Sequence, residues 1–238
     1  MKFPFHNVQD GSLDFCQITG KKNLLEVIDL GLQPLSDTLI EEKDIEKKEK
    51  LYPLKIFRSP LLGHSQLSYI VPSDELYHPD YPYRPGITKE IIEHHTEQAV
   101  KNKKNLKLNE GDLIVDIGSN DGTLLKCYKN IGLNVMGVEP TNMADVANQD
   151  GVNTIKSNFN LNSAKSIVAK NGKARLITAT NVFAHMATLG SVMEGILELL
   201  SDDGFFIIEN HNMKDIIKYN QYDTFYHEHI RNYSFISL

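Results

Sequence analysis

The stretch Asp112-Leu-Ile-Val-Asp116-Ile-Gly118-Ser-Asn120-Asp-Gly122-Thr-Leu-Leu-Lys126 constrains the chain more than any other. Leu113 to Ile117 is a short apolar run with β-branched residues, two glycines follow, and the residues after them suit a helix. The pattern predicts a buried strand, a tight turn and a helix start. Glycine accepts positive φ and allows close approach by a ligand, which is the reason for Gly118 and Gly122 in such a turn. In an open α/β sheet, ligands bind at strand-end turns of this kind.

A dinucleotide fingerprint reads G-x-G-x-x-G and sets pyrophosphate on a helix N-terminus. Here Asn120 stands at the second glycine position with Asp121 beside it. A carboxylate there opposes pyrophosphate, and Asp116 at the strand end adds negative charge. A ligand with an ammonium and a sulfonium, and no phosphate, suits the turn better; S-adenosylmethionine has those groups. The next apolar run, Asn134-Val-Met-Gly-Val-Glu139, ends in an acid 23 residues after Asp116. A carboxylate at about that distance takes ribose hydroxyls. The spacing serves NAD and S-adenosylmethionine alike, so Glu139 supports an adenosine ribose without choosing the cofactor.

From Leu113 onward strands and helices alternate. Strands are expected at Leu113–Ile117, Val135–Glu139, Val152–Lys156, Arg175–Ala179 and Phe205–Glu209, and helices at Ser163–Lys170 and Leu189–Leu200. This alternation implies an α/β fold, a doubly wound parallel sheet with helices on both faces. Asn158, past the third strand, is either an adenine contact or a turn former. Asn181, past the fourth, either faces the cofactor's reactive end or forms a turn. Upstream, residues 1–85 are rich in proline and aromatics and read as a small β-rich domain. Glu26–Leu35 suggests a strand and turn, and Tyr52–Phe57 with Ser65–Val71 suggests paired strands. Glu41–Lys50 reads as exposed charge. Leu76–Gly86, with three prolines and Tyr83, reads as a stiff linker. Thr88 is the expected N-cap of a helix to Val100, in which His94 and His95 are surface or packing residues.

The net charge of −6 gives no support to nucleic-acid binding. Two cysteines, Cys16 and Cys127, make no disulfide framework. The N-terminal Met-Lys-Phe-Pro-Phe-His lacks an apolar signal core, and no run reaches membrane-spanning length. A soluble cytoplasmic protein is expected. Near the C-terminus, Asp223-Thr-Phe-Tyr226-His227-Glu228-His229-Ile-Arg-Asn-Tyr233 sets titratable groups among aromatics, soon after the fifth strand. That suits proton transfer. In an extended segment His227 and His229 would point the same way, which would suit a metal; a polar surface loop is the other reading.

Together these stretches resemble the S-adenosylmethionine-dependent sugar C-methyltransferases of deoxysugar biosynthesis. Four carry the likeness: Asp29-Leu-Gly-Leu-Gln-Pro-Leu-Ser36, Tyr81-Pro-Tyr83, Asp116-Ile-Gly-Ser-Asn-Asp-Gly-Thr-Leu and Asp223-Thr-Phe-Tyr-His-Glu-His. The resemblance implies a zinc-binding N-terminal domain over residues 1–85, a class I methyltransferase domain over 86–217, and the start of a C-terminal catalytic segment over 218–238. It implies C-3 methylation of a nucleotide-linked 4-keto-6-deoxysugar through an enolate, with S-adenosylhomocysteine as product. His229 would be the base and Glu228 its electrostatic partner, while Tyr226, His185 and Tyr83 would line the sugar. Asp116, Gly118, Asn120, Gly122, Glu139, Asn158 and Asn181 would hold the cofactor.

The sequence departs from that family twice. Where the family has two Cys-x-x-Cys pairs, this chain reads Cys16-Gln-Ile-Thr19 and Ser59-Pro-Leu-Leu62. Tetrahedral zinc needs four good ligands, so no metal is expected and packing alone should hold the N-terminal domain. Only 29 residues follow Glu209, too few for the usual close of a methyltransferase sheet and a further domain. The expectation is a truncated product, a fragment or one partner of a split protein, with an open sheet edge that invites a homodimer or a partner chain. A sugar O-methyltransferase, or a non-catalytic chain that binds the cofactor, are the competing functions. A dinucleotide oxidoreductase is disfavoured by Asn120 and Asp121.

Overall fold

The structure, a computed structural model, describes residues 10–77 and 81–238. The N-terminal Met-Lys-Phe-Pro-Phe-His and His78–Asp80 of the linker lie outside the described residues. In chain order the first elements are β1 (Gly11–Ser12), β2 (Leu25–Gln33), β3 (Tyr52–Arg58), β4 (Ser65–Leu67), β5 (Tyr69–Ile70) and α1 (Ser73–Leu76). Next come α2 (Lys89–Asn105), β6 (Leu113–Ile117), α3 (Thr123–Asn130), β7 (Asn134–Glu139), α4 (Met143–Gln149) and β8 (Thr154–Lys156). The chain continues with α5 (Leu161–Asn171), β9 (Ala174–Thr180), α6 (Leu189–Leu199), β10 (Leu200–Glu209), α7 (Met213–Tyr219) and β11 (Arg231–Asn232).

Two compact units result. One gathers the described residues of 1–76 with 184–190 and 210–238; the other holds the described residues of 77–183 with 191–209. Residues 218–238, read from sequence as the start of a separate segment, thus share a unit with the N-terminal strands.

The second unit is built on a five-stranded sheet in the order β10-β9-β6-β7-β8, every pairing parallel. The first strand in sequence, β6, is central. The chain winds outward through β7 and β8, then returns to β9 on the other side. This is the doubly wound α/β arrangement that the alternating pattern predicts, and the order reverses between β6 and β9, where such sheets bind ligands. Ile114, Leu125, Tyr128 and Leu176 are fully buried and pack with Ala99, Leu108, Leu124 and Val152 into one core. Each such side chain contributes about 1.5–3 kcal/mol by leaving water.

Element ends differ from the expected ones for local reasons. α5 begins at Leu161, because Asn160 caps it: its side chain accepts from the Asn162 and Ser163 amides, and Ser163 Oγ accepts from the Asn160 amide. β10 starts at Leu200 and shifts register before Phe205. Thr88 does occupy the N-cap of α2, but its side chain makes no capping bond.

The first unit contains a four-stranded antiparallel sheet, β11-β4-β3-β2, and the two-stranded β1-β5 ribbon. In β3 the buried residues are Tyr52, Leu54 and Ile56, alternating as a half-buried strand must. β2 is an edge strand with Leu25, Val27, Ile28, Leu30 and Leu32 all exposed. Among the described residues, no helix is long and apolar enough to cross a membrane.

The turn after β6 is held by tight packing as well as by backbone conformation. Gly118 sits at φ +69°, and a Cβ there would lie 2.4 Å from Val182 Cγ2. Gly118→Ala should therefore cost about 1–3 kcal/mol, from left-handed strain and overpacking together. Urea unfolding of the two proteins measures it; an unchanged midpoint would show the turn to be tolerant.

Candidate active site

Two polar clusters correspond to the two chemistries expected from the sequence, one in each unit. In the sheet unit, the end of β6 presents Asp116, almost fully buried, with Thr178 Oγ1 donating to its Oδ1 at 2.7 Å. Burial pushes the Asp116 carboxyl up to about 7, against the Thr178 hydrogen bond and with help from the Glu139 charge. Glu139, at the end of β7, is also buried. Its two carboxylate oxygens accept the amides of Asn120 and Thr141, each at 2.9 Å. The glycine turn is thereby clamped to the neighbouring strand.

Asn120 takes a left-handed conformation, φ +48°, and its side chain donates to the Tyr83 carbonyl at 3.0 Å. The Tyr83 ring itself is 52 % exposed. Gly122, at φ +74°, fits against Val152. Asn181 is also left-handed, φ +54°, and its amide donates to the Glu209 carbonyl at 2.7 Å. Asn158 is exposed after β8. Ser119 Oγ is buried with no protein partner.

Asp121 corrects one step of the sequence argument. Its carboxylate is buried and already engaged. Arg84 Nε and the Gly86 amide donate at 3.1 Å, and the Thr123 amide and hydroxyl donate at 3.2 and 2.5 Å. A charge compensated in this way does not face a ligand, so Asp121 gives no ground for rejecting a pyrophosphate. His94, read as a surface or packing residue, pairs with Glu209 at 3.1 Å.

In the other unit, His185, Tyr226, Glu228 and His229 come together, and His211 joins them. The His229 ring centroid lies 4.2 Å from that of Tyr226, 4.9 Å from His185 and 5.3 Å from His211. His229 Nδ1 is 2.7 Å from the Thr224 carbonyl, which can only accept. Nδ1 therefore carries the proton, and Nε2 accepts from the Tyr226 hydroxyl at 3.0 Å. Glu228 meets His185, with Oε2 3.7 Å from Nδ1. The group that orients the His229 ring is a backbone carbonyl.

The segment is a turn, closed by the His229 amide on the Tyr226 carbonyl at 3.1 Å, and is not extended. His227 accordingly points away, to the Tyr52 carbonyl at 3.4 Å, and does not join His229. Sequence reasoning missed His211, two residues past the end of β10. The strand-end rule that singled out Asn181 applies to it equally.

Burial, then the His229, His211 and Arg231 charges, pull His185 down to about 3. Burial likewise pulls His229 down to about 4, against the Thr224 hydrogen bond and with the His211 charge in support. Both rings are neutral in the folded protein. Their folded values lie below the ordinary 6.5, so the unfolded chain binds more protons once the pH falls below that. The contribution of these two rings to stability should be level above about pH 6.5 and fall as the pH drops toward 4. Unfolding midpoints across that window should show a shallower fall for His185→Gln than for the unchanged chain.

Residues 16–77 match a family described as a putative zinc binding domain, and residues 91–238 match one described as a methyltransferase domain. The C-methyltransferase NovU of Streptomyces niveus is 33% identical over 227 residues, which is 95% of this chain and 54% of that protein. The chain thus spans about half the length of that curated relative. Among solved structures, the plantazolicin methyltransferase BpumL in complex with SAH aligns over 54% of this chain and 49% of its own, at 18% identity and a TM-score of 0.42. YcgJ of Bacillus subtilis aligns over 60% of this chain and 63% of its own, at 17% identity and a TM-score of 0.47. By the match over residues 91–238, which take in both the parallel sheet and the Tyr226–His229 turn, the chain belongs to the methyltransferase family.

Proposed function

We propose that the chain acts in S-adenosylmethionine-dependent methyl transfer to carbon, on a nucleotide-linked 4-keto-6-deoxysugar at the position beside the ketone. The observation that carries this reading is the His229 tautomer. Its Nδ1 proton is held by the Thr224 carbonyl, and its Nε2 lone pair is turned to a hydroxyl on a neutral ring. A carbon acid beside a ketone needs such a base. The C-methyltransferase name of the Streptomyces niveus relative supports the same reaction class.

The cofactor, when bound, supplies an electrophilic methyl group. The residues of the sheet unit suit it. Glu139 offers buried acceptors at the second strand end for ribose hydroxyls, and Ser119 Oγ there has no protein partner. Asp116, Gly118, Asn120 and Gly122 form the turn beneath it, and Asn158 and Asn181 follow the third and fourth strands.

In the other unit, His229 Nε2 takes the proton from carbon. Tyr226 yields its hydrogen bond to that nitrogen and turns its O–H to the ketone oxygen as negative charge develops there. His185, whose Nδ1 faces Glu228, lines the sugar in this reading, as does Tyr83. The sugar's nucleotide follows from the same family likeness, the cytoplasmic setting from two cysteines that make no disulfide framework, and association with a second copy or a partner chain belongs to the same reading.

The test is solvent exchange. Incubated in deuterium oxide with a 4-keto-6-deoxysugar nucleotide, the protein should exchange the hydrogen on the carbon beside the ketone for deuterium in unmethylated sugar, and with cofactor present it should replace that hydrogen by methyl. His229→Ala should abolish both while calorimetry shows unchanged cofactor binding. Tyr226→Phe should slow transfer roughly 10²-fold. A methyl group found on a hydroxyl oxygen, with the hydrogen beside the ketone retained and unexchanged, would overturn the carbon reading. The acid limb of kcat/KM should lie near pH 4, where His229 titrates, and well below 6.5.

A further inference from the structure

The region matching a putative zinc binding domain contains two turns shaped like those that present paired thiolates to a metal. In the first, Cys16 Sγ accepts the Thr19 amide at 3.4 Å. Hydrogen bonds from Gly20 to the Cys16 carbonyl, 2.7 Å, and from the Cys16 amide to Lys21, 2.8 Å, close it. In the second, the Ser59 amide donates to the His64 carbonyl at 3.0 Å and the Gly63 amide to the Ser59 carbonyl at 2.9 Å. Gly20 at φ +72° and Gly63 at φ +68° supply the left-handed residue each turn needs. The turns meet where Cys16 Sγ lies 3.8 Å from His64 Nε2, and both residues are fully buried.

Zinc does not fit these residues. A structural site needs four thiolate, imidazole or carboxylate ligands. The remaining corners here are Thr19, Ser59 and Leu62. Among the described residues no three histidine, cysteine or acidic side chains gather as a metal site would require.

We propose that the buried Cys16–His64 contact takes the place of the metal and ties the two turns together in a zinc-free version of this domain. The tie is direct, between the Cys16 sulfur and the His64 Nε2. Burial alone would raise the thiol's pKa; the His64 and Thr19 hydrogen bonds outweigh it and hold the thiol at about 6. Ser59 Oγ and His64 Nδ1 remain buried with no protein partner. The pocket therefore keeps polar atoms where an apolar repacking would be more stable. The expectation of packing alone gives way to one specific polar contact.

Three measurements on the 238-residue chain test this, and none depends on its enzymatic reaction. Protein purified from zinc-supplemented medium should contain no stoichiometric zinc, and EDTA should leave its melting temperature unchanged. Cys16→Ala and His64→Ala should each lower the melting temperature by roughly 2–4 °C. The double variant should fall by less than the sum, as residues in contact do. The triple variant Thr19→Cys, Ser59→Cys, Leu62→Cys should gain about one zinc per chain and show thiolate–cobalt absorption when loaded with cobalt, because the turns already have the required shape. Stoichiometric zinc in the unchanged chain, strictly additive losses, or a triple variant that binds no metal would each overturn the proposal. The metal content and the cobalt spectrum keep it testable even where the alanine variants fail to fold.

Discussion

The cluster of rings around His229 depends on one fully buried cation. The Arg231 guanidinium donates to the Gln17 side chain, to the Met186 carbonyl and, at 2.8 Å, to the Tyr233 hydroxyl. These partners come from the three separate stretches that make up the first unit. A guanidinium out of water costs several kcal/mol unless its fork of donors is met. Meeting it fixes the backbone beside His185, through Met186, and the backbone two residues after His229. The geometry that sets the His229 tautomer is thus anchored from a residue outside the ring cluster.

One carboxyl of the sheet unit and two imidazoles of the other respond to burial alike. Burial outweighs every other influence on Asp116, His185 and His229, and each is driven toward its neutral form. For the histidines this leaves both rings unprotonated at ordinary pH. Asp116, by contrast, titrates near neutrality, so its charge answers to whatever occupies the turn above it.

Much of the sheet unit was legible in the sequence because its signals are local. An apolar run, two glycines and a repeating strand–helix spacing are readable in windows of a dozen residues. Glu139 was found by the same logic, although its amide partners Asn120 and Thr141 were not. Asp121 shows where such reading stops. A carboxylate in a glycine turn looks free until Arg84, far back in the chain, is folded onto it. The Tyr226-x-x-His229 pairing was visible as a motif, but the turn that separates His227 from it was not. The first unit was the least legible part, because β11 pairs with β4 and no window of sequence contains both strands.

That last pairing bears on the order in which the protein is made. Ser65 and Gln66 must wait for Asn232 and Arg231, and the whole parallel-sheet unit is synthesised in between. A ribosome emitting this chain releases β2 and β3 long before the strand and guanidinium that complete their unit. Contacts so distant are slow to close, and an unfinished edge is prone to stick to others like it. Newly made chains would thus fold the later-synthesised sheet unit first, and the earlier strands would need shelter in the meantime.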